Sequence, residues 1–261
     1  MTEMFSHAAS YEKLMGRWSA RLAPLFADFA KVHDGNRVLD VGCGTGSLCQ
    51  AVADVTSRSE IVGIDPAQGF IDFCRSRFPD RRMSFDCGSA LGLPYPDRAF
   101  DRSLSLLVLM FIPQPDRAAA EMRRVTRPGG TVAACTWDAE GMKMGSTFWE
   151  EAIRLDPAAK ARADASRQCN RKGQLTEIWN AMAMNDVQET AIEIQLDFSS
   201  FDDYWLPMSA SGPAGTYVST LSPDHCDALR VALRNRLFAD RPDGPFSLGA
   251  LSWAVRGTVP E

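Results

Sequence analysis

Much that would mark a metal, membrane or nucleic-acid protein is missing here. The chain has three histidines, at 7, 33 and 225, and none of its seven cysteines forms a CxxC pair. Neither a zinc site nor a dithiol redox centre therefore has ligands at workable spacing, and no metal is expected. Most of the cysteines stand in apolar or helical contexts and read as buried thiols. The longest apolar run, LLVLMFI at 106–112, is far shorter than the roughly 18 residues a membrane helix needs. The opening MTEMFSHAASYEKL lacks the basic-then-apolar order of a signal segment. Basic blocks are absent too: Arg81-Arg82 and Arg123-Arg124 are isolated pairs in a chain of net charge -5. A phosphate backbone is thus a poor partner. The expectation is a soluble, cytoplasmic protein that engages neither nucleic acid nor membrane.

What is present suits one α/β domain with additions: 261 residues, 45% hydrophobic and 23% charged. Short apolar runs alternate with helical periodicity from 37 to 137. Strands are expected at RVLDV (37–41), EIVGID (60–65), 82–86, the apolar stretch 99–111 and TVAACTW (131–137). Helices are expected at 8–31, 47–56, 67–77 and 115–126, the last stopped by Arg127-Pro128-Gly129-Gly130. The face Trp18, Leu22, Leu25, Phe26 and Phe29 should turn inward in the first helix, and Leu48, Ala51, Val52 and Val55 in the second. Beyond 138 the pattern loosens into helices at 146–170 and 173–183 and a punctuated helical section at 200–243. Strands return at 187–198 and 247–259. This order predicts a doubly wound, mostly parallel seven-stranded sheet of Rossmann-like type with a helical lid.

The densest motif is VLDVGCGTGSL at 38–48. It follows the first strand and opens a helix, the place where such sheets bind ligands. Its glycines, Gly42, Gly44 and Gly46, do not follow the G-x-G-x-x-G of a dinucleotide loop, and no Lys-Ser/Thr follows as in a P-loop. Asp40 would repel a pyrophosphate but attract a cationic ligand. Asp65, 19 residues after Gly46 at the end of the second strand, stands where a carboxylate accepts hydrogen bonds from a ribose diol. An adenosine with a cationic amino-acid tail satisfies both.

With GIDPAQGFI, GSALGLPYPDRAFD and RRVTRPGGTVAACTW following in order, the chain resembles the class I S-adenosylmethionine-dependent methyltransferases. The likeness is to their small-molecule branch, which includes ubiquinone/menaquinone C-methyltransferase-like proteins. The resemblance implies S-adenosyl-L-methionine as cofactor and methyl transfer to a small, apolar or ring-containing acceptor, at carbon, nitrogen or oxygen. Asp40 would orient the methionine ammonium; Gly42, Cys43, Gly44 and Gly46 would pass close to the methionyl and ribose parts. Asp65 would hold the ribose, Pro66 would lie along the adenine, and Ser89 and Ala90 would read its edge. Leu107 would face the sulfonium.

The family commonly has an aspartate where Ser89 stands, and many relatives have a histidine near Met110. With neither here, a non-catalytic S-adenosylmethionine-binding regulatory protein is the alternative. The reachable candidates for a base are His7, Tyr11 and Asp138; His7 and Tyr11, four apart, share a helix face. The expected organisation is a helical cap at 1–34, a cofactor-binding core at 35–137, and a helical substrate lid at 138–183 and 199–245. Closing strands at 184–198 and 246–261 complete it. A homodimer is left open.

Overall fold

The structure is a computed structural model, and it describes residues 12–165 and 168–261. A single π-helical turn, Glu12–Gly16, leads into α1 (Arg17–Phe29). Then follow β1 (Arg37–Val41), α2 (Ser47–Val55), β2 (Glu60–Asp65), α3 (Gln68–Arg77), β3 (Met83–Cys87) and β4 (Phe100–Leu106). After a 3-10 turn at Leu109–Phe111 come α4 (Pro115–Val125) and β5 (Thr126–Trp137). The second half contributes α5 (Lys143–Leu155), α6 (Ala159–Ala165), α7 (Gln174–Ala181) and β6 (Asn185–Phe198). It ends with α8 (Phe201–Ala210), α9 (Gly212–Val218), α10 (Pro223–Phe238) and β7 (Phe246–Thr258).

The strands form one seven-stranded sheet in the order β3-β2-β1-β4-β5-β7-β6. β1 to β5 pair in parallel, whereas β7 pairs antiparallel with both β5 and β6. Parallel strands need crossover helices, and those helices cover both faces. Val38 and Ile61 face the core shared with α1, α2 and α3, while Leu39 and Val62 face that shared with α4 and α7. This alternation fixes the aim of Asp40: it points to the α2 side, where the thiol of Cys49 donates to its Oδ2 at 3.3 Å. Among the described residues, no helix is long and apolar enough to cross a membrane.

The differences from the sequence reading have local causes. β4 stops at Leu106 rather than running to 111, because Leu107 turns to φ +63°. The N–H of Leu107 still reaches the Cys135 carbonyl at 2.7 Å, so the chain leaves the sheet without losing that bond. The helix expected over 146–170 begins earlier, at Lys143, and is cut at Asp156-Pro157, where proline has no N–H to continue it. α3 starts at Gln68 with Ala67 as its extended cap, two residues beyond Pro66. β5 pairs from Thr126, ahead of the expected start, across an irregularity opposite Phe100 and Arg102. Leu25 and Val55, expected inward, are exposed. Both lie at the margin of an apolar helical face, where a 3.6-residue period fixes the stripe but not its edge.

Candidate active site

The loop after β1 is held by the strand beside it. The N–H groups of Gly42 and Cys43 both donate to the Ile64 carbonyl, at 2.7 and 3.0 Å. Gly42, Gly44 and Gly46 adopt φ of +78°, +50° and +84°, a region that costs other residues about 1–2 kcal/mol. Two of them also meet protein at close range. A Cβ on Gly42 would stand 2.5 Å from the Val108 methyls, and one on Gly46 would stand 2.4 Å from the Phe78 ring. Gly46→Ala should therefore combine backbone strain with overpacking and lose roughly 3 kcal/mol of stability. Gly92→Ala, with nothing within 4 Å of its Cβ, should stay within about 0.5 kcal/mol of wild type. Urea unfolding of the pair checks the contrast, and equal losses would refute it.

Asp65 closes β2 and joins the loop to α3. Its Oδ2 accepts from the Gly44 N–H at 3.1 Å and its Oδ1 from the Ala67 N–H at 2.9 Å. Burial raises its pKa, and these two N–H bonds work against that. A carboxylate has about four acceptor positions, so each oxygen keeps one for a ligand. Asp65 borders a cavity of about 250 Å³ together with Gly42, Gly44, Pro66, Ser89, Ala90 and Leu107. Apolar side chains also line it: Phe70, Leu91, Ile112 and Pro113. Ser89 is exposed, and its Oγ accepts from the Leu91 N–H at 3.2 Å. That bond leaves the hydroxyl one further lone pair and its proton.

Asp40 and Cys43 sit behind the loop rather than on this cavity. With Gly42, Gly44 and Ser19 they border a small void of about 20 Å³. Asp40 is 2% exposed, and burial pushes its pKa up to about 7, with the Cys49 thiol opposing and Asp65 adding to the rise. A buried carboxylate without a cation beside it is held near neutrality in this way. Gly46 borders neither space.

A second cavity, of about 170 Å³, lies under the helices of the second half. It is walled by Met110, Trp137, Met142, Met144, Trp149 and Met208, with Ser146, Asn170 and Asp138 among its polar members. Leu107 and Phe111 border both cavities, so the left-handed turn that ends β4 sits at their junction. Strained backbone of this kind is found where a site demands it. Asp138 is already engaged. Its Oδ1 accepts from the N–H of Glu140 at 3.0 Å and Gly141 at 2.6 Å, and its Oδ2 from the Trp253 indole at 2.8 Å. His7 and Tyr11 lie outside the described residues.

Sequence reasoning did not anticipate Phe70 or Ile112 at the first cavity, whereas Val108 lies in the stretch Leu107 to Met110 that it aimed at the sulfonium. Phe70 carried a usable signal: it lies one helical turn after Pro66, on the side of α3 that faces the loop. The methionine and tryptophan wall of the second cavity comes from segments far apart in the chain. No spacing could have joined them.

Comparison with known proteins agrees with this geometry. A model of the methyltransferase domain matches residues 39–134. A demethylmenaquinone methyltransferase of Renibacterium salmoninarum is 37% identical over 143 residues, covering 54% of this chain and 59% of that protein. The chain spans only 24–59% of the length of curated relatives such as these. Among solved structures, phosphoethanolamine N-methyltransferase 2 of Haemonchus contortus matches with a TM-score of 0.60 at 16% identity, covering 97% of this chain and 57% of that one. The [4+2]-cyclase SpnF matches with a TM-score of 0.56 at 22% identity, covering 93% and 82%. Those two likenesses establish the fold, and their differing reactions show that the fold alone does not name one. The domain match, the strand order and the glycine loop closed by Asp65 agree: over residues 39–134 this chain carries a class I S-adenosylmethionine-dependent methyltransferase domain.

Proposed function

We propose that this protein binds S-adenosylmethionine and transfers its methyl group to a small, largely apolar molecule. The observation that carries this reading is the junction of two cavities at Leu107 and Phe111, one bordered by the Asp65 carboxylate and the other by apolar side chains. The residues present fit the cofactor. Asp65 has a free lone pair on each oxygen for a ribose diol, the apolar side chains of Phe70 and Ile112 suit a purine, and among the described residues Asp40 has no cation paired with it, a charge that an amino-acid tail would supply. When bound, S-adenosylmethionine supplies a methyl group already activated by a sulfonium.

The chain's own contribution is then alignment and exclusion of water. Leu107 and Phe111 separate cofactor from acceptor, and the methionine and tryptophan wall dries the acceptor side. Proton removal is the weak point. Asp138, the one carboxylate bordering the second cavity among the described residues, already holds three N–H groups. This supports a positioning role for Asp138 and favours acceptors that need no strong base, such as a free amine or an acidic carbon. It also keeps the second reading in play, that of a cofactor-binding protein without turnover. We read the protein as cytoplasmic, and its acidic balance of -5 supports a role apart from nucleic acid; whether it is a homodimer is read by sedimentation.

The test is S-adenosylhomocysteine production from S-adenosylmethionine with a panel of amines, phenols, quinols and carboxylates. Turnover with one chemical group supports the reading. Binding of S-adenosylhomocysteine with no turnover across the panel favours the regulatory alternative, and no binding at all removes both.

A further inference from the structure

Two residues bordering the second cavity carry a buried polar group with no hydrogen-bond partner. The indole Nε1–H of Trp137 and the hydroxyl of Ser146 are both buried and unpaired, their residues 6% and 7% exposed. Buried polar groups are nearly always paired, and an exception calls for an explanation. Trp18 has the same unpaired indole N–H but borders neither cavity. It is roofed instead by the Arg17 guanidinium, 4.2 Å from its ring. Trp137 and Ser146 both border this cavity, as do Leu107 and Phe111, and its other polar side chains are those of Asp138, Asn170 and Ser211.

We infer that the second cavity takes an uncharged, mainly apolar molecule bearing a carbonyl or hydroxyl oxygen, and that Trp137 is the residue selecting for that oxygen. This rests on the proposed methyl-acceptor role of the cavity and narrows its substrate class. The chemistry is directional. An indole nitrogen only donates, so its partner must present a lone pair, and a protonated amine cannot satisfy it. Ser146 both donates and accepts, so it fits the same carbonyl as a second donor or a hydroxyl as acceptor. Charged ligands fare worse. A carboxylate would lie in a cavity whose charged member is Asp138, and no Lys or Arg borders it among the described residues. An ammonium would find one acceptor position left on Asp138, whose carboxylate already takes three donors, and would be desolvated by the methionine and tryptophan side chains of the wall. A site built to hydrogen-bond an oxygen discriminates against the analogue that lacks it, because its own polar groups are then left unpaired.

Calorimetric titration with three shape-matched probes tests this: 1-tetralone, its hydrocarbon counterpart tetralin, and the cationic 1-aminotetralin, with S-adenosylhomocysteine present throughout. The wild-type protein should bind tetralone about tenfold more tightly than tetralin, and aminotetralin more weakly than tetralone. Trp137→Phe, which keeps the ring and removes the N–H, should bring tetralone and tetralin within about twofold of each other. Ser146→Ala should reduce the preference in part. Thermal melting and S-adenosylhomocysteine affinity, both measured on each variant, separate loss of selectivity from loss of fold. Equal affinity for tetralone and tetralin in the wild type, a preference for aminotetralin, or a tetralone preference that survives Trp137→Phe would each overturn the inference. Failure of S-adenosylhomocysteine to bind, with the tetralone preference intact, would sink the methyltransferase reading and leave the oxygen-selective cavity standing.

Discussion

Replacing Asp65 with alanine should lower the affinity for S-adenosylhomocysteine by at least about 100-fold. Hydrogen bonds to a charged partner contribute about 1.5–3 kcal/mol each, and 1.4 kcal/mol is tenfold in binding. Two ribose hydroxyls on one carboxylate therefore account for two decades or more. The protein itself should survive the change. The Gly44 and Ala67 N–H groups that lose their acceptor border an open cavity, where water can replace the carboxylate. Asp65→Asn keeps one acceptor oxygen and the side-chain volume, so it should lose about tenfold. Calorimetry on the three proteins, with melting curves beside it, reads both effects. Alanine binding within threefold of wild type would mean that Asp65 does not hold the ribose, and the proposed function would lose its anchor.

The second large effect is one of stability and pH. Asp40 has its pKa raised from 3.8 to about 7 by burial. Between those values the folded protein keeps a proton that the unfolded chain releases, so unfolding becomes easier as pH rises. The contribution is complete below pH 3.8, drains away as pH climbs to about 7, and is constant above. The gap corresponds to on the order of 4 kcal/mol, undiminished by screening because the group is buried.

Asp40→Asn is neutral at every pH and keeps an oxygen for the Cys49 thiol. Its stability minus that of wild type should be near zero at pH 4, grow steadily, and level off by about pH 7.5. All other titrating groups cancel in the difference. A pH-independent difference in urea unfolding would refute the account. If Asp40 also faces the ammonium of the cofactor, wild-type affinity for S-adenosylhomocysteine should rise up to tenfold between pH 6 and 8, since only the ionised carboxylate pairs. In the asparagine variant the affinity should stay flat.

Asp40 and Asp65 were legible in the sequence because each is tied to a local frame: a strand end, a glycine loop, a fixed interval. The five parallel strands were legible for the same reason, since buried parallel strands are short apolar runs between helical stretches, and β6 showed in its alternation. What escaped depended on contacts that sequence distance hides. LLVLMFI remains apolar beyond Leu106, so nothing in its composition announces the φ of +63° at Leu107 that ends the strand. Asp138 read as a reachable base because Trp253, which takes one of its oxygens, lies 115 positions away. The unpaired Trp137 and Ser146 were invisible in the same way, since being unpaired is a property of the packed wall and not of either residue.

The placement of β7 bears on the order in which the fold can be made. β6 leaves the ribosome well before β7, yet its ladder within the sheet is with β7 alone, from Asn185–Thr258 to Phe198–Phe246. β5 likewise waits for β7 on its outer edge. The nascent chain can therefore assemble the five parallel strands, with their glycine loop, before β6 has a partner within the sheet. Only when Phe246–Thr258 slides in as the antiparallel wedge does the sheet close. During synthesis the cofactor half thus has a head start, and until β7 arrives two sheet edges stand open to mispairing.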